Sequence, residues 1–262
     1  NSLTSGIVNT LIGNAAGDAL TIGNNNVAVG HHSMLSNTEG TANTAIGTYS
    51  LDAATTANNN TATGYQALTS NTTGSENTAT GAYAMQSNTT GGSNASMGVF
   101  ALQLNSTGSQ NTAMGRSAME SNTTGERNTA HGYFALLANT TGNDNTAIGN
   151  GALKANTTGI DNTAIGRETM INSTTGNYNT AVGKGVLHQL TTGTQNTGIG
   201  QQVIQAVTTG SNNTGLGSYA LTDLTTGSFN TAVGVGSLAS ATTSGNNTAV
   251  GQSTLNLCTT GS

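Results

Sequence analysis

One pattern recurs every 17 residues along the chain, with no insertion or deletion. Written N-T-A-I-G-x-x-A-L-x-x-N-T-T-G-x-x, it starts at Asn9, Asn26, Asn43 and onward to Asn247, 15 starts in all. A period of this size marks a solenoid, in which each repeat is one coil that buries its apolar side against neighbouring coils. Independent domains tolerate insertions in their loops, because closing a longer loop costs little. A coil whose residues stack on their counterparts does not. The sequence therefore predicts an all-β chain, a parallel β-solenoid (β-roll) of about 15 coils, with residues 1–262 forming a single repeat array. Like residues would lie about 4.8 Å apart, making a rod roughly 70 Å long.

The columns of the repeat carry the local expectations. Position 1 is Asn and position 5 is Gly in all 15 repeats. Position 9 is Leu, Met or Ile in 14 of 15, and position 4 is aliphatic or Met in 12, with Thr63, Thr80 and His131 departing. These two columns are read as the core stripes. Position 3, mostly Ala, and position 8, mostly Ala or Ser, are read as sites of close backbone approach. The Gly columns at 5 and 15 read as bends. Two short strands per coil are expected, near positions 2–5 and 8–11, with a polar corner at 12–15. Two glycines per coil and clustered Thr oppose a helix. Asn111, Asn128, Asn145 and Asn162, with Gly115, Gly132, Gly149 and Gly166, belong to the expected structural ladders.

Composition removes several functions. Five Lys and Arg in 262 residues leave no footprint for nucleic acid. No apolar run approaches the roughly 20 residues that span a bilayer, so no membrane insertion is expected. Cys258 has no partner for an intrachain disulfide. The ten acids scatter over variable columns without a recurrent pair for acid–base work. No catalytic, cofactor-binding or metal residue is assigned, and the chain is not expected to be an enzyme. His31 and His32 read as a solvated face. His131 reads as a hydrogen-bonded core histidine; lining a three-fold axis, its copies would meet and could hold an anion or a metal. Tyr49, Tyr65, Tyr83, Tyr219, Phe100 and Phe134 fall in columns 6 and 7 and read as an exposed edge, a contact between chains ahead of a glycan-stacking surface.

Position 12 supports two readings. Asn71, Asn88, Asn105, Asn122, Asn139 and Asn156 each open an N-x-S/T sequon and are candidate N-glycosylation sites. The same column holds Leu20, Leu190, Val207 and Leu224, which favours an inward amide ladder like those of cross-β stacks. Further sequons stand at Asn59, Asn94, Asn172, Asn212 and Asn246.

The element N-T-A-I-G, as at Asn145–Gly149 and Asn162–Gly166, resembles the N-S-V-A-I-G element of trimeric autotransporter adhesin heads, the YadA-like family. The longer unit also resembles repeats in tail-fibre and surface proteins of phages and aquatic microbes, where it often precedes a self-cleaving chaperone domain. The resemblance implies a left-handed roll and three chains side by side. The adhesin heads use shorter coils than the 17 residues here, and the extra residues fall to the N-T-T-G corner.

The functional expectation is a structural shaft or head segment of an extracellular fibre, on a virion tail or a cell surface, supporting attachment to a host. The partners are copies of itself, as a homotrimer or an end-to-end polymer, with cell-surface glycan engaged through another domain. Two alternatives stand beside it: an ice-binding solenoid, from the Thr columns at 2, 13 and 14, and a glycan-coated filament, from the sequons. Leu3, Thr4 and Gly6 match positions 12, 13 and 15, and Cys258 to Gly261 match positions 12 to 15. The repeat is thus expected to continue beyond this stretch as a fragment of a longer solenoid.

Overall fold

The computed structural model describes residues 6–256 and 259. Coils are numbered here from Asn9, so coil 2 starts at Asn26 and coil 15 at Asn247. The chain is a parallel β-solenoid with a 17-residue repeat, and the described residues contain no helix. It divides into two compact units, the first ending at Asn128 and the second beginning at Thr129. The first carries β1 (Thr10–Ile12) to β7 (Thr112–Met114), and the second β8 (Thr129–His131) to β15 (Thr248–Val250). Within each unit every strand pairs in parallel with the next, in a register of one repeat: Ala45 faces Ala62, and Ala164 faces Ala181. The repeat matches at Leu3, Thr4, Cys258, Thr260 and Gly261 lie outside the described residues.

Each coil has one three-residue strand, at positions 2–4, and not two. The strand is β-branched Thr, Ala and an aliphatic residue, a combination suited to a pleated surface. Gly at position 5 ends it with φ between +115° and +142°. A Cβ at Gly132 would sit 2.5 Å from the carbonyl oxygen of Gly149, and one at Gly149 would sit 2.5 Å from that of Gly166. The invariance of this column is therefore both conformational and steric.

The stretch expected as a second strand, positions 8–11, is instead a turn. Positions 7 and 9 both adopt left-handed φ, as in Tyr49 (+58°) and Leu51 (+52°). The backbone still ladders: Tyr49 N–H donates to the His31 carbonyl of the coil before, and Leu51 N–H to the Ala67 carbonyl of the coil after. A left-handed residue costs about 1–2 kcal/mol. At position 9 that cost is offset, because a buried Leu or Met contributes about 1.5–3 kcal/mol. Leu51, Met85, Leu136 and Leu187 are completely enclosed.

Position 4, expected in the core, faces outward. A strand alternates its faces with a period of two, and Ala at position 3 is the residue turned inward: Ala28, Ala45, Ala147 and Ala164 are fully buried. The interior is narrow, and Ala fits where Ile does not. Inside are positions 1, 3, 8, 9, 12 and 15.

Departures from the consensus compensate one another in size. In coil 1, Leu11 stands at position 3 and Gly17 at position 9; a Cβ on Gly17 would lie 2.7 Å from Leu11 Cδ2. Val186 and Val203 enlarge position 8, and Gly replaces Ala at position 3 one coil later, where a Cβ on Gly198 or Gly215 would meet the respective Val Cγ1 at 2.5 Å. Position 15 departs from Gly in two coils, at Ala57 and Ser244, and these are the two coils with Ala at position 12, Ala54 and Ala241.

Candidate functional surfaces

The two Asn columns are interior ladders. At position 1, Asn43 N–H donates to Asn26 Oδ1 (3.0 Å), and its Nδ2 donates to Asn26 Oδ1 (3.2 Å) and to the Ala57 carbonyl of its own coil (2.8 Å). Asn111 and Asn128 in the first unit and Asn162 in the second make the same backbone bond to the Asn before, and Asn111, Asn145 and Asn162 make the same bond to the position 15 carbonyl. Each Asn therefore closes its own coil at position 15 and ties it to the coil before.

At position 12, Asn88 Nδ2 donates to Asn71 Oδ1 and Asn105 Nδ2 to Asn88 Oδ1, both at 2.8 Å, and each also donates to the Gly carbonyl three residues on. Asn122 continues the ladder in the first unit; Asn139 and Asn156 form a pair in the second. All six side chains are fully buried. Their Nδ2 atoms are enclosed donors, and a glycan on them would have no path to solvent in this fold. Asn94 is buried too, whereas the sequon asparagines Asn59 and Asn246 are exposed.

Thr at position 13 uses its hydroxyl inside the ladder: Thr72 Oγ1 donates to the Thr89 carbonyl (3.0 Å), and Ser106, the one substitution in the column, keeps the bond to Thr123 (2.9 Å). Position 14 is open, and Thr73 to Thr243 form an exposed file.

Two outward features stand out, the first unexpected from sequence and the second giving geometry to the expected aromatic edge of columns 6 and 7. The first is the position 4 column. Of its twelve apolar residues, eight are exposed, from 37% at Ile165 to 67% at Val250, and four are half-buried. In the second unit Ile148, Ile165, Val182, Ile199, Leu216, Val233 and Val250 succeed one another without a break. His131 stands in this column on β8 and is exposed, so it is not a core histidine. The signal for the outward turn is present in the T-A-I triplet, since inward Ala requires outward Thr and Ile.

The second feature is an aromatic strip on coils 2 to 6. His31 and His32 stack (4.0 Å between ring centroids); His32 meets Tyr49 edge-on (5.3 Å), Tyr49 meets Tyr65 (6.5 Å), Tyr65 meets Tyr83 (5.3 Å), and Tyr83 stacks on Phe100 (5.3 Å). His31, exposed, and His32, half-buried, thus begin a ring file. Beside the strip, Gln103 Nε2 donates to Gln86 Oε1 and Gln86 Nε2 to Gln66 Oε1. Burial pushes the half-buried Asp52 carboxyl above the usual carboxylate range, against the lowering effect of His32 and His31. Phe134 stands apart with Tyr133 and lies under Lys154 Nζ (5.2 Å).

His32, Tyr49, Tyr83 and Phe100 occupy position 7 with φ between +56° and +62°. Gly holds this position in coils 9, 11 and 14. The left-handed conformation belongs to the whole column, since Gln66, Ser117, Glu168 and Gln202 adopt it as well, and the four rings are half-buried.

Among the described residues no group of three His, Cys, Asp or Glu could hold a metal, and no helix is long and apolar enough to cross a membrane. No protein-family model matches the chain, and a search of curated proteins returns no match.

Proposed function

We propose that this chain is a structural shaft or head segment of an extracellular fibre, borne on a virion tail or a cell surface, and that it works by assembling with copies of itself as a homotrimer. The observation that carries the reading is the outward apolar file at position 4. Soluble monomers rarely expose contiguous apolar patches beyond a few hundred Å², and seven consecutive aliphatic residues from Ile148 to Val250 make such a patch in the second unit alone. The strand face holding it carries Thr at position 2 and no Lys, Arg, Asp or Glu at positions 2 or 4 in any coil. A partner with the same 17-residue repeat meets the file coil for coil.

Sedimentation of the purified chain tests this. A trimer is expected, and the triple variant Ile148→Asp, Ile165→Asp, Ile199→Asp is expected to sediment as a monomer with an unchanged circular dichroism spectrum. A wild-type chain that stays folded and monomeric at every concentration overturns the proposal.

Ice binding is the second reading, favoured by the exposed Thr file at position 14 and the Thr column on the outer strand face. It is weakened at position 13, where the hydroxyls are already engaged. Measurable thermal hysteresis at micromolar protein would establish it in place of the first.

A further inference from the structure

We propose that the aromatic strip of coils 2 to 6 is a binding platform for a neutral, unbranched oligosaccharide. The strip is linear, with one ring or ring pair per coil at about 4.8 Å per coil, so it spans roughly 20 Å. An extended chain fits it better than a compact ligand. The strip's rings are exposed at His31 and Tyr65 and half-buried at His32, Tyr49, Tyr83 and Phe100, so part of each stays open to solvent.

Charge narrows the occupant. No Lys or Arg precedes Arg116, while Asp18, Glu39, Asp52 and Glu76 do. Phosphate-bearing and other polyanionic chains are therefore disfavoured. The ring file is an apolar strip against which the C–H groups of a sugar can pack, and the adjoining Gln66, Gln86 and Gln103 amides, bonded to one another along the strip, keep further donors and acceptors for its hydroxyls. A proline-rich peptide needs slots between aromatic rings, and here the edge-on contact of Tyr65 with Tyr83 at 5.3 Å closes the slot.

The test is titration calorimetry of the full chain with cellohexaose, maltohexaose, xylohexaose and N-acetylchitohexaose, with decaproline as comparison. At least one hexasaccharide is expected to bind. Tyr65→Ala and Tyr83→Gly are each expected to weaken that binding at least tenfold, while Tyr219→Ala, a ring in coil 13 outside the strip, leaves it unchanged. Tyr83→Gly is also expected to keep the wild-type melting temperature or raise it, because Gly relieves the backbone. Four results overturn the proposal: no binding by any of the sugars, binding indifferent to Tyr65 and Tyr83, decaproline bound in their place, or strip variants that change the oligomeric state and leave sugar binding intact.

Discussion

The same corner of the coil is built in two ways. In coils 4 to 7 position 12 is filled by Asn71, Asn88, Asn105 and Asn122, each amide after the first donating to the one before it. In coils 11 to 13 it is filled by Leu190, Val207 and Leu224, fully buried and without a polar atom. Position 15 is Gly in all seven coils. The corner accepts either a continuous hydrogen-bonded stack or a continuous apolar one. The identity of the residue matters less than the identity of its neighbours one coil away. A buried amide is tolerable when both of its groups find partners and costly when they do not.

The largest effects should come from putting one kind of residue into the other kind of stack. Asn105→Leu removes the acceptor for Asn122 Nδ2 and the donors to Asn88 Oδ1 and the Gly108 carbonyl. The Gly108 carbonyl keeps its bond from Asn94 Nδ2, so two groups are orphaned, and at about 1–3 kcal/mol each a loss of roughly 2–6 kcal/mol is expected. Val207→Asn should lose less, since its amide, between Leu190 and Leu224, can still pair with Gly210 of its own coil as Asn37 does with Gly40. Because stability in a repeat array is held between nearest neighbours, hydrogen exchange should accelerate most in the coils flanking each substitution. Equal tolerance of Leu and Asn in both stretches would remove the distinction.

Much of this is legible in the sequence, and the part that is not has a physical cause. The unbroken 17-residue register announces the solenoid, and the exchange of Asn for Leu at position 12 announces that the column faces inward. Hydrophobicity alone misplaces position 4. Alternation along T-A-I decides which residue turns inward, and the small interior selects Ala. The second strand is a false expectation because nothing in A-L-x-x signals left-handed φ at Leu; the core contacts impose it. The columns show an aromatic edge but leave His31 and His32 outside it and do not separate Tyr219 and Phe134 from it. Only the vertical succession His32, Tyr49, Tyr65, Tyr83, Phe100 makes it a patch.

The Gly at position 15 sharpens the comparison, because it serves both kinds of corner. A Cβ on Gly108 would lie 2.5 Å from Asn105 Oδ1 and overlap the Gly125 carbonyl oxygen. Gly108→Ala should therefore destabilise by about 1–3 kcal/mol, the usual range for overpacking. The pairs Ala54 with Ala57 and Ala241 with Ser244 show how the fold relieves this crowding. Adding Asn105→Ala to Gly108→Ala should then cost less than the sum of the two single changes, and a double-mutant cycle reads that difference. Strict additivity would mean that the crowding is between coils alone.

In the apolar stretch the same logic runs through positions 3 and 8. Gly215→Ala brings a Cβ to 2.5 Å from Val203 Cγ1 and 3.0 Å from Ile204 Cγ1. A loss of about 1–2 kcal/mol is expected. Val203→Ala in the same chain should recover part of it, by restoring the Ala–Ala pairing of the other coils. Thermal unfolding of the two single variants and the double variant would show this. A double variant no more stable than Gly215→Ala alone would mean that Ile204, and not Val203, sets the size of the space.

The smallest expected effect is at the boundary between the two kinds of stack, and it has the opposite sign. Asn156 is the last amide of its ladder, and the next residue in the column is Ser173. Asn156 Oδ1 and Ser173 Oγ are both buried without a hydrogen-bond partner. Ser173→Asn would supply an Nδ2 donor to Asn156 Oδ1, as Asn156 itself supplies one to Asn139 at 2.8 Å. Gly176 already stands at position 15, so the new side chain meets the Gly it requires. Its own Oδ1 would face Leu190, but coil 2 shows how a solitary amide is satisfied: Gly40 N–H donates to Asn37 Oδ1 at 3.0 Å. The Gly176 N–H can do the same for the introduced amide. Extending the ladder by one coil should therefore stabilise the chain by about 0.5–1.5 kcal/mol, the net value of a typical hydrogen bond. Ser173→Ala is the control. It deletes one orphan and leaves Asn156 Oδ1 unpaired, so it should gain less than Ser173→Asn. If the Ala variant proves the more stable of the two, an apolar cap ends an amide ladder better than another amide does. The corner would then favour short polar stacks closed by apolar residues.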